Sequence, residues 1–412
     1  MQLQPWPTLY MPAVPADFPK LKLKSTYGIR EFGAESFKSY VCGITPYDST
    51  HLGHAATYIS FDLIHRYIKA SGGEVSFVEN VTDIDEPLLE RATRDNQDWR
   101  ALALNQVQLF QGDMVDLHIL PPQHFVPATS VMALVDAAIT AMQKNGYTYK
   151  VENDVYFSIE EFLDGLPISI QDALRIFAER GGDPARDGKR HPLDPVLWWA
   201  NKNGEPGWES SHGFGRPGWH IECCVISLRY LLGADYLSQK ETGALIDIQG
   251  GGTDLIFPHH FMSAAQAQAM TGRTFAKAYV HAGMVGLDGE KMSKSKGNLV
   301  FVSKLVNAGV DPMVIRLALL QDHYQSDRMW SEDVLKSAQT LVDRIRFNLA
   351  KMEVAPAAPL IAHLVTALSE NLDTPSALKH ISLWCEDSEL HPCVDEAGLV
   401  ARALDSLLGL AL

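Results

Sequence analysis

Residues 38–83 read KSYVCGITPYDSTHLGHAATYISFDLIHRYIKASGGEVSFVENVTD, and this stretch decides the fold. KSYVCGITPYD is an apolar run that enters a polar turn, the pattern of a buried strand giving way to a loop. From His51 onward the apolar residues fall at helical spacing, with Ile59, Leu63 and Ile64 on one face, until Gly72 and Gly73 stop the helix. EVSFVENVTD supplies a second strand, and EPLLERA opens another helix. Strand, loop, helix and strand in that order predict a parallel, right-handed βαβ unit. The turn carries no G-x-G-x-x-G, so a dinucleotide fold of the dehydrogenase kind is not indicated.

Outward from this unit the chain divides into six predicted regions. An N-terminal extension spans 1–39, and 40–126 forms the first half of a Rossmann-like domain. An insertion over 127–192 includes helical LVDAAITAMQKNGY, strand-like DVYFSI and the polar loop ERGGDPARDGKRHP. The βα pattern resumes over 193–290 with WHIECCVISLRYL, ALIDIQGGGTDLIF and helical HHFMSAAQAQAM. A Lys/Ser/Gly loop and its sequel cover 291–335, and helical segments fill 336–412. The predicted fold is α/β: a split parallel sheet with an insertion and a C-terminal helical bundle.

Composition narrows the function classes. At 412 residues the chain exceeds the size at which single cores stop growing, so two or three domains are expected. No apolar run approaches the roughly 20 residues of a membrane span. The start, MQLQPWPTLYMPAVPADFPK, is broken by prolines and does not read as a signal peptide. Five cysteines, two of them adjacent (Cys223 and Cys224), do not resemble a disulfide framework. A cytoplasmic protein with reduced thiols and no membrane association is expected. The net charge of −15 argues against a broad nucleic-acid surface. From Lys336 to Leu412 there are six Lys/Arg against ten Asp/Glu, a poor RNA-binding tail.

Three sets of residues carry chemistry. His51-Leu52-Gly53-His54 stands where the first strand hands over to its helix, where start-of-helix amides favour a phosphate. Two imidazoles three positions apart can donate to phosphate oxygens as charge develops. Alone, the string reads more simply as two polar residues capping a helix. Lys291-Met292-Ser293-Lys294-Ser295 suits transient clamping of a triphosphate, although a solvated basic loop looks the same. Cys42, Cys223 and His259 are dispersed in sequence on elements that can converge. Two thiolates and an imidazole make a three-ligand site with one open position, the catalytic form for zinc. Singly, each is an ordinary buried side chain.

HLGH followed over two hundred residues later by KMSKS resembles the paired signatures of class I aminoacyl-tRNA synthetases. That resemblance implies ATP-dependent activation of a carboxylate, with His51 and His54 as phosphate-side donors and Lys291 and Lys294 as the clamp. CGITPYD, GWHIEC, DIQGGGTD and FPHH are similar to motifs of cysteinyl-tRNA synthetases, in which a metal captures the substrate thiolate. By that match one zinc ion is held by Cys42, Cys223 and His259, while Cys224 and His260 point elsewhere. An open zinc position accepts a thiolate far better than a serine hydroxyl, so coordination supplies the selectivity.

Three features depart from the tRNA enzymes. Ser263 stands where they carry a further glutamate ligand, the C-terminal segment is short and acidic, and Glu179-Arg180-Gly181-Gly182-Asp183-Pro184 interrupts the insertion. All three resemble the mycothiol-pathway cysteine ligases, paralogues of cysteinyl-tRNA synthetases. The resemblance implies L-cysteine, ATP with Mg²⁺ and an amino-sugar inositol acceptor as partners, with no tRNA and a monomeric chain. It also implies an adenylate pocket lined by Cys42, Gly43, Ile44, Thr45, Thr57, Asn80, Val81, Thr82, Trp219, Gly252, Thr253, Asp254 and Val285. The stretch 229–244 reads as a surface loop longer than usual. A cysteinyl-tRNA synthetase with a reduced C-terminus and a non-catalytic sensor of cysteine or zinc are the competing readings. The base that deprotonates the acceptor amine is not identified by the sequence.

Overall fold

Leu21, Leu23 and Ser25 alternate inward along β1 (Leu21–Ser25), which pairs antiparallel with β2 (Gly28–Phe32). This computed structural model describes every residue except 1–2, 48–49, 202–204, 240–241, 288 and 293–296. The predicted N-terminal extension therefore contains a hairpin, and its alternation is the period-two signal of a half-buried strand. The extension also straps the molecule: Trp6 Nε1 donates to the Ile119 carbonyl at 2.8 Å, and Asn371 N donates to the Lys22 carbonyl at 2.9 Å.

The chain then builds β3 (Phe37–Ile44), α1 (Leu52–Ala70), β4 (Val75–Val81), α2 (Glu86–Arg94), α3 (Trp99–Asp116) and β5 (His124–Pro127). The insertion contributes α4 (Met132–Lys144), β6 (Thr148–Val151), β7 (Asp154–Phe157), α5 (Ile170–Glu179), β8 (Val196–Ala200) and β9 (Gly215–Pro217). Its four strands form an antiparallel sheet in the order β6-β7-β8-β9, so it continues beyond residue 192. After it come α6 (Trp219–Leu232), β10 (Ile246–Gly252), α7 (Phe261–Thr271) and β11 (Ala276–Ala282).

The central sheet runs β11-β10-β3-β4-β5, with every neighbouring pair parallel. Counted by order of appearance within the sheet, that is 5-4-1-2-3, the doubly wound arrangement. Connections leave β3 toward β4 on one side, while β10 lies on the other. The crevice outside the carboxyl ends of β3 and β10 is thus the topological switch point, where such sheets bind ligands. Strand alternation sends Val41 to the core that contains α1 and Tyr40 and Cys42 to the one that contains α6 and α7, and a register shift after Val41 returns Ile44 to the α1 side.

Past β11, β12 (Val285–Leu287) pairs antiparallel with β13 (Glu290–Lys291) and parallel with β14 (Arg328–Trp330). α8 (Val302–Asn307) and α9 (Pro312–Leu320) precede β14, and α10 (Glu332–Leu349), α11 (Ala357–Ser369), α12 (Thr374–Leu390) and α13 (Ala397–Leu408) complete the helical part. A buried charge cluster joins this part to α1. Asp62 accepts from Arg66 Nε at 2.7 Å and from the Arg316 guanidinium, whose Nε donates to the Leu408 carbonyl at 2.7 Å. Burial alone would raise the Asp62 carboxyl, but the two guanidiniums hold it below its ordinary range.

Candidate active site

Cys42 lies near the carboxyl end of β3 and faces α6, where Cys223 sits one turn into the helix. His259 arrives from the turn after β10, in which Phe257 is extended and the Phe257–Pro258 peptide is cis. The two sulfurs and one imidazole nitrogen all lie within 4.8 Å of one another, and all three residues are buried. The proton balance between the sulfurs is uneven. A hydrogen bond from Cys42 holds the Cys223 thiol well below the usual range, while burial pushes Cys42 up.

The imidazole of His259 is aimed by its surroundings. Its ring stacks on Trp219 with centroids 4.2 Å apart, and its Nδ1 lies 2.9 Å from Nδ1 of His220. Its Nε2 is buried with no hydrogen-bond partner among the described residues. An orphaned imidazole nitrogen beside two soft sulfurs, with the other nitrogen held, is the donor set of a zinc site. Ser263 Oγ donates to the His220 carbonyl at 3.2 Å.

One expectation changes here. His260 does not point away from the cluster: its Nε2 is 3.2 Å from Cys42 Sγ, and its Nδ1 is 2.8 Å from Nε2 of His281. The kinked turn at residues 256–260 places His259 in the donor group and His260 against Cys42 from outside it. Cys224, like His260, is outside the group of three donors.

The HLGH string starts α1. His51 is its N-cap, with Nδ1 accepting from Gly53 N at 3.0 Å, and the His51 and His54 rings stack 3.9 Å apart. Burial, helped by His51, pushes His54 down to about 3, so it is a neutral donor or acceptor across the physiological range. Both histidines line a cavity of about 320 Å³ with Cys42, Gly43, Asp254 and Met292. The cavity occupies the switch point, and Ile44, Thr45, Thr57 and Gly252 also line it. Lys291 pairs with Gly286 across β13 and β12. Lys294, the other predicted clamp residue, lies outside the described residues.

Several predicted pocket residues act from behind the wall. Asn80 is buried, accepting from the Tyr40 hydroxyl at 2.9 Å and Gly43 N at 2.8 Å and donating to Thr82 Oγ1 at 3.0 Å. Val81 and Val285 are buried hydrophobics. These three do not line the cavity; Asn80 fixes the strand end that does, and Thr253 lies in the short turn carrying Asp254. A Cβ on Gly43 would sit 1.7 Å from the Asn80 carbonyl oxygen, so only glycine lets β3 and β4 approach so closely here. Thr45, Thr82 and Trp219 line a second cavity of about 610 Å³.

Sequence reasoning missed His220 as the residue that orients His259. A signal existed, because His220 and Cys223 are three apart on α6 and share a helix face. It also passed over Arg180, whose Nη1 lies 3.6 Å from Asp254 Oδ2. Nothing in the sequence pairs those two residues, which are 74 positions apart and meet only through the folded insertion.

Over residues 29–340 the chain matches the family described as tRNA synthetases class I (C) catalytic domain. A protein of Gordonia bronchialis named L-cysteine:1D-myo-inositol 2-amino-2-deoxy-alpha-D-glucopyranoside ligase is 49% identical over 426 residues, covering 100% of both chains. A Streptomyces coelicolor protein of the same name is 47% identical over 417 residues, covering 99% of each. Among solved structures, Mycobacterium tuberculosis methionyl-tRNA synthetase in complex with methionyl-adenylate superposes with a TM-score of 0.65 at 16% identity. The superposition covers 91% of this chain and 92% of that one, a likeness of fold.

Proposed function

This chain belongs to the family of L-cysteine:1D-myo-inositol 2-amino-2-deoxy-alpha-D-glucopyranoside ligases, built on the class I synthetase catalytic domain, and on that premise we propose its reaction in two half-steps. It is an ATP-dependent ligase of mycothiol biosynthesis that joins L-cysteine to the amine of glucosaminyl-inositol. In the first half-step the cysteine carboxylate attacks the α-phosphate of ATP, which enters with Mg²⁺; pyrophosphate leaves and cysteinyl-AMP remains. In the second, the 2-amino group of the acceptor attacks the acyl carbon. A C–N bond forms, the acyl C–O bond to AMP breaks, and the amine proton is released.

The observation that carries this reading is the convergence of Cys42, Cys223 and His259, with Cys42 also lining the cavity that His51 and His54 line. A zinc ion held by those three residues would leave one position for the substrate's thiolate and so select cysteine over serine. His220 fixes the His259 ring through their 2.9 Å contact. His51 and His54 stand at the amide-rich start of α1 and stabilise negative charge on the phosphates. Asp254, on the same cavity, accepts the cysteine α-ammonium and keeps it from acting as the nucleophile. Lys291 and Lys294 clamp the departing pyrophosphate.

We place the enzyme in the cytoplasm as a monomer that works without tRNA. Among the described residues no helix is long and apolar enough to cross a membrane. The deciding experiment supplies ATP, cysteine and either glucosaminyl-inositol or tRNA. Cysteine-dependent ATP–pyrophosphate exchange and cysteinylation of the amino sugar alone are expected. Charging of tRNA in its place would overturn the acceptor assignment and leave the activation step standing.

A further inference from the structure

The 610 Å³ cavity opens beside the carboxyl ends of β3 and β4, and Thr45 and Tyr47 line both it and the 320 Å³ cavity. Its walls come from two sources, the catalytic sheet with α2 and α6, and the insertion. The lining is acidic: five carboxylates, among them Asp85, Glu86, Glu90 and Glu222, face the two guanidiniums of Arg180 and Arg216. Trp199 and Trp219 add flat apolar faces. Glu222 is 2% exposed, and its Oε2 has no hydrogen-bond partner among the described residues. A buried acceptor of that kind is satisfied by a ligand N–H or O–H.

These features suit a small polyhydroxylated amine. Carboxylates offset its positive charge, hydroxyls meet the polar groups, and the apolar face of a sugar ring lies on an indole. The same walls repel a polyanion such as the end of an RNA strand.

The ERGGDP turn supplies the inner wall, and its residues explain its rigidity. α5 ends at Glu179, and Gly181 takes φ +83°, open to glycine at little cost. A Cβ on Gly182 would meet the Phe177 ring at 2.5 Å. Asp183 accepts from Lys189 Nζ at 2.9 Å and from the Tyr156 hydroxyl. A turn fixed at both ends aims Arg180 at Asp254, 3.6 Å away. Arg180 lines the larger cavity and Asp254 the smaller, so their ion pair stands on the boundary between the two.

We infer that the larger cavity is the acceptor subsite and that Arg180 is the positioning residue coupling it to the cysteine subsite. The guanidinium occupies the carboxylate that the cysteine α-ammonium needs. When cysteine binds, its ammonium takes Asp254, and the freed N–H donors of Arg180 turn to the acceptor's hydroxyls. Binding of the first substrate thereby prepares the seat of the second. The inference rests on the ligase reading above and adds to it the residues that choose the acceptor.

The test compares wild type, Arg180→Ala, Arg180→Lys and the exposed pair Glu86→Gln/Glu90→Gln. Two readouts are taken on each: cysteine-dependent ATP–pyrophosphate exchange, and cysteinylation of glucosaminyl-inositol. Arg180→Ala is expected to raise the acceptor KM about tenfold or more, the worth of a charge-assisted hydrogen bond, without raising the cysteine KM in exchange. Arg180→Lys is expected to recover part of that loss. The double glutamine variant is expected to raise the acceptor KM and to blunt its increase with salt. An acceptor KM within about twofold of wild type in both Arg180→Ala and the double variant would overturn the inference while ligation persists. Absence of exchange in the wild type would instead remove the ligase reading itself.

Discussion

Replacing His220 by phenylalanine isolates the interaction that holds His259 in place. The two Nδ1 atoms are 2.9 Å apart in a buried setting, so one must carry the proton and the other must accept it. Burial pushes His220 well below the ordinary imidazole range, which leaves it neutral. If Nε2 of His259 is to bind a metal, its ring proton must sit on Nδ1 and be donated to His220. Phenylalanine keeps the ring and its tilted contact with Trp219, at 5.4 Å between centroids, but removes the acceptor. His259 then has a buried N–H without a partner, a cost of about 1–3 kcal/mol. Loss of such an orienting partner weakens metal binding about 10- to 100-fold, or about 1.4–2.7 kcal/mol, and the two ranges agree.

The measurement is a competition for zinc against a chromophoric chelator, with the cysteine KM for pyrophosphate exchange recorded at buffered free zinc. The cysteine KM is expected to rise in step with the metal dissociation constant, and saturating zinc is expected to restore kcat. A folded variant, by its thermal transition, whose zinc affinity stays within about twofold of wild type would refute the orienting role.

Cys223→Ser removes one of three donors from the buried cluster; loss of bound zinc and at least about a hundredfold rise in cysteine KM are expected. Metal analysis and exchange with cysteine against serine read the outcome. Gly43→Ala forces a Cβ to within 1.7 Å of the Asn80 carbonyl oxygen, and pushing β3 from β4 is expected to cost about 3 kcal/mol or more, seen as a lowered Tm. His65 is buried, and burial pushes it down to about 3, with Ser39 Oγ 2.8 Å from its Nε2. Its folded pKa lies below the unfolded value near 6.5, so below that pH the unfolded chain takes up a proton that the folded one refuses. Stability contributed by neutral His65 is thus present above about pH 6.5 and declines toward pH 3 at about 1.4 kcal/mol per pH unit. His65→Gln is expected to flatten denaturation midpoints between pH 6 and 4 by about that slope.

The parallel core was legible because its signals are local. An unbroken apolar run, a helical period and a glycine stop identify β3, α1 and β4 without reference to the rest of the chain. The insertion's sheet was less legible because its strands have three to five residues and end in loops rich in glycine and proline. DVYF was read, while β6, β8 and β9 were not. The helix α3 went unread although 18 residues long, since its buried positions mix Gln106 and Asp113 with apolar side chains. For the site, the three candidate ligands came from motif likeness, and strand alternation explains why Cys42 meets α6 at all. The placement of His260 was not legible, because it depends on a kinked turn whose backbone leaves helical geometry at Phe257.

The proposed division of labour between the two cavities would explain how one activation apparatus can serve a different acceptor. The residues proposed to make the aminoacyl-adenylate gather around the switch point of the sheet, on β3, α1, α6, the turn after β10 and the strand that carries Lys291. Choice of acceptor therefore falls to the walls of the mouth, where electrostatics act before contact. A tRNA would bring a phosphate every few ångströms to a mouth whose lining holds five carboxylates and two guanidiniums. An amino sugar brings one ammonium and many hydroxyls to the same place. Like charge across that mouth disfavours the RNA and opposite charge favours the amine. On the proposed assignment the amine is selected at the mouth, before it meets the adenylate and apart from the residues that activate cysteine.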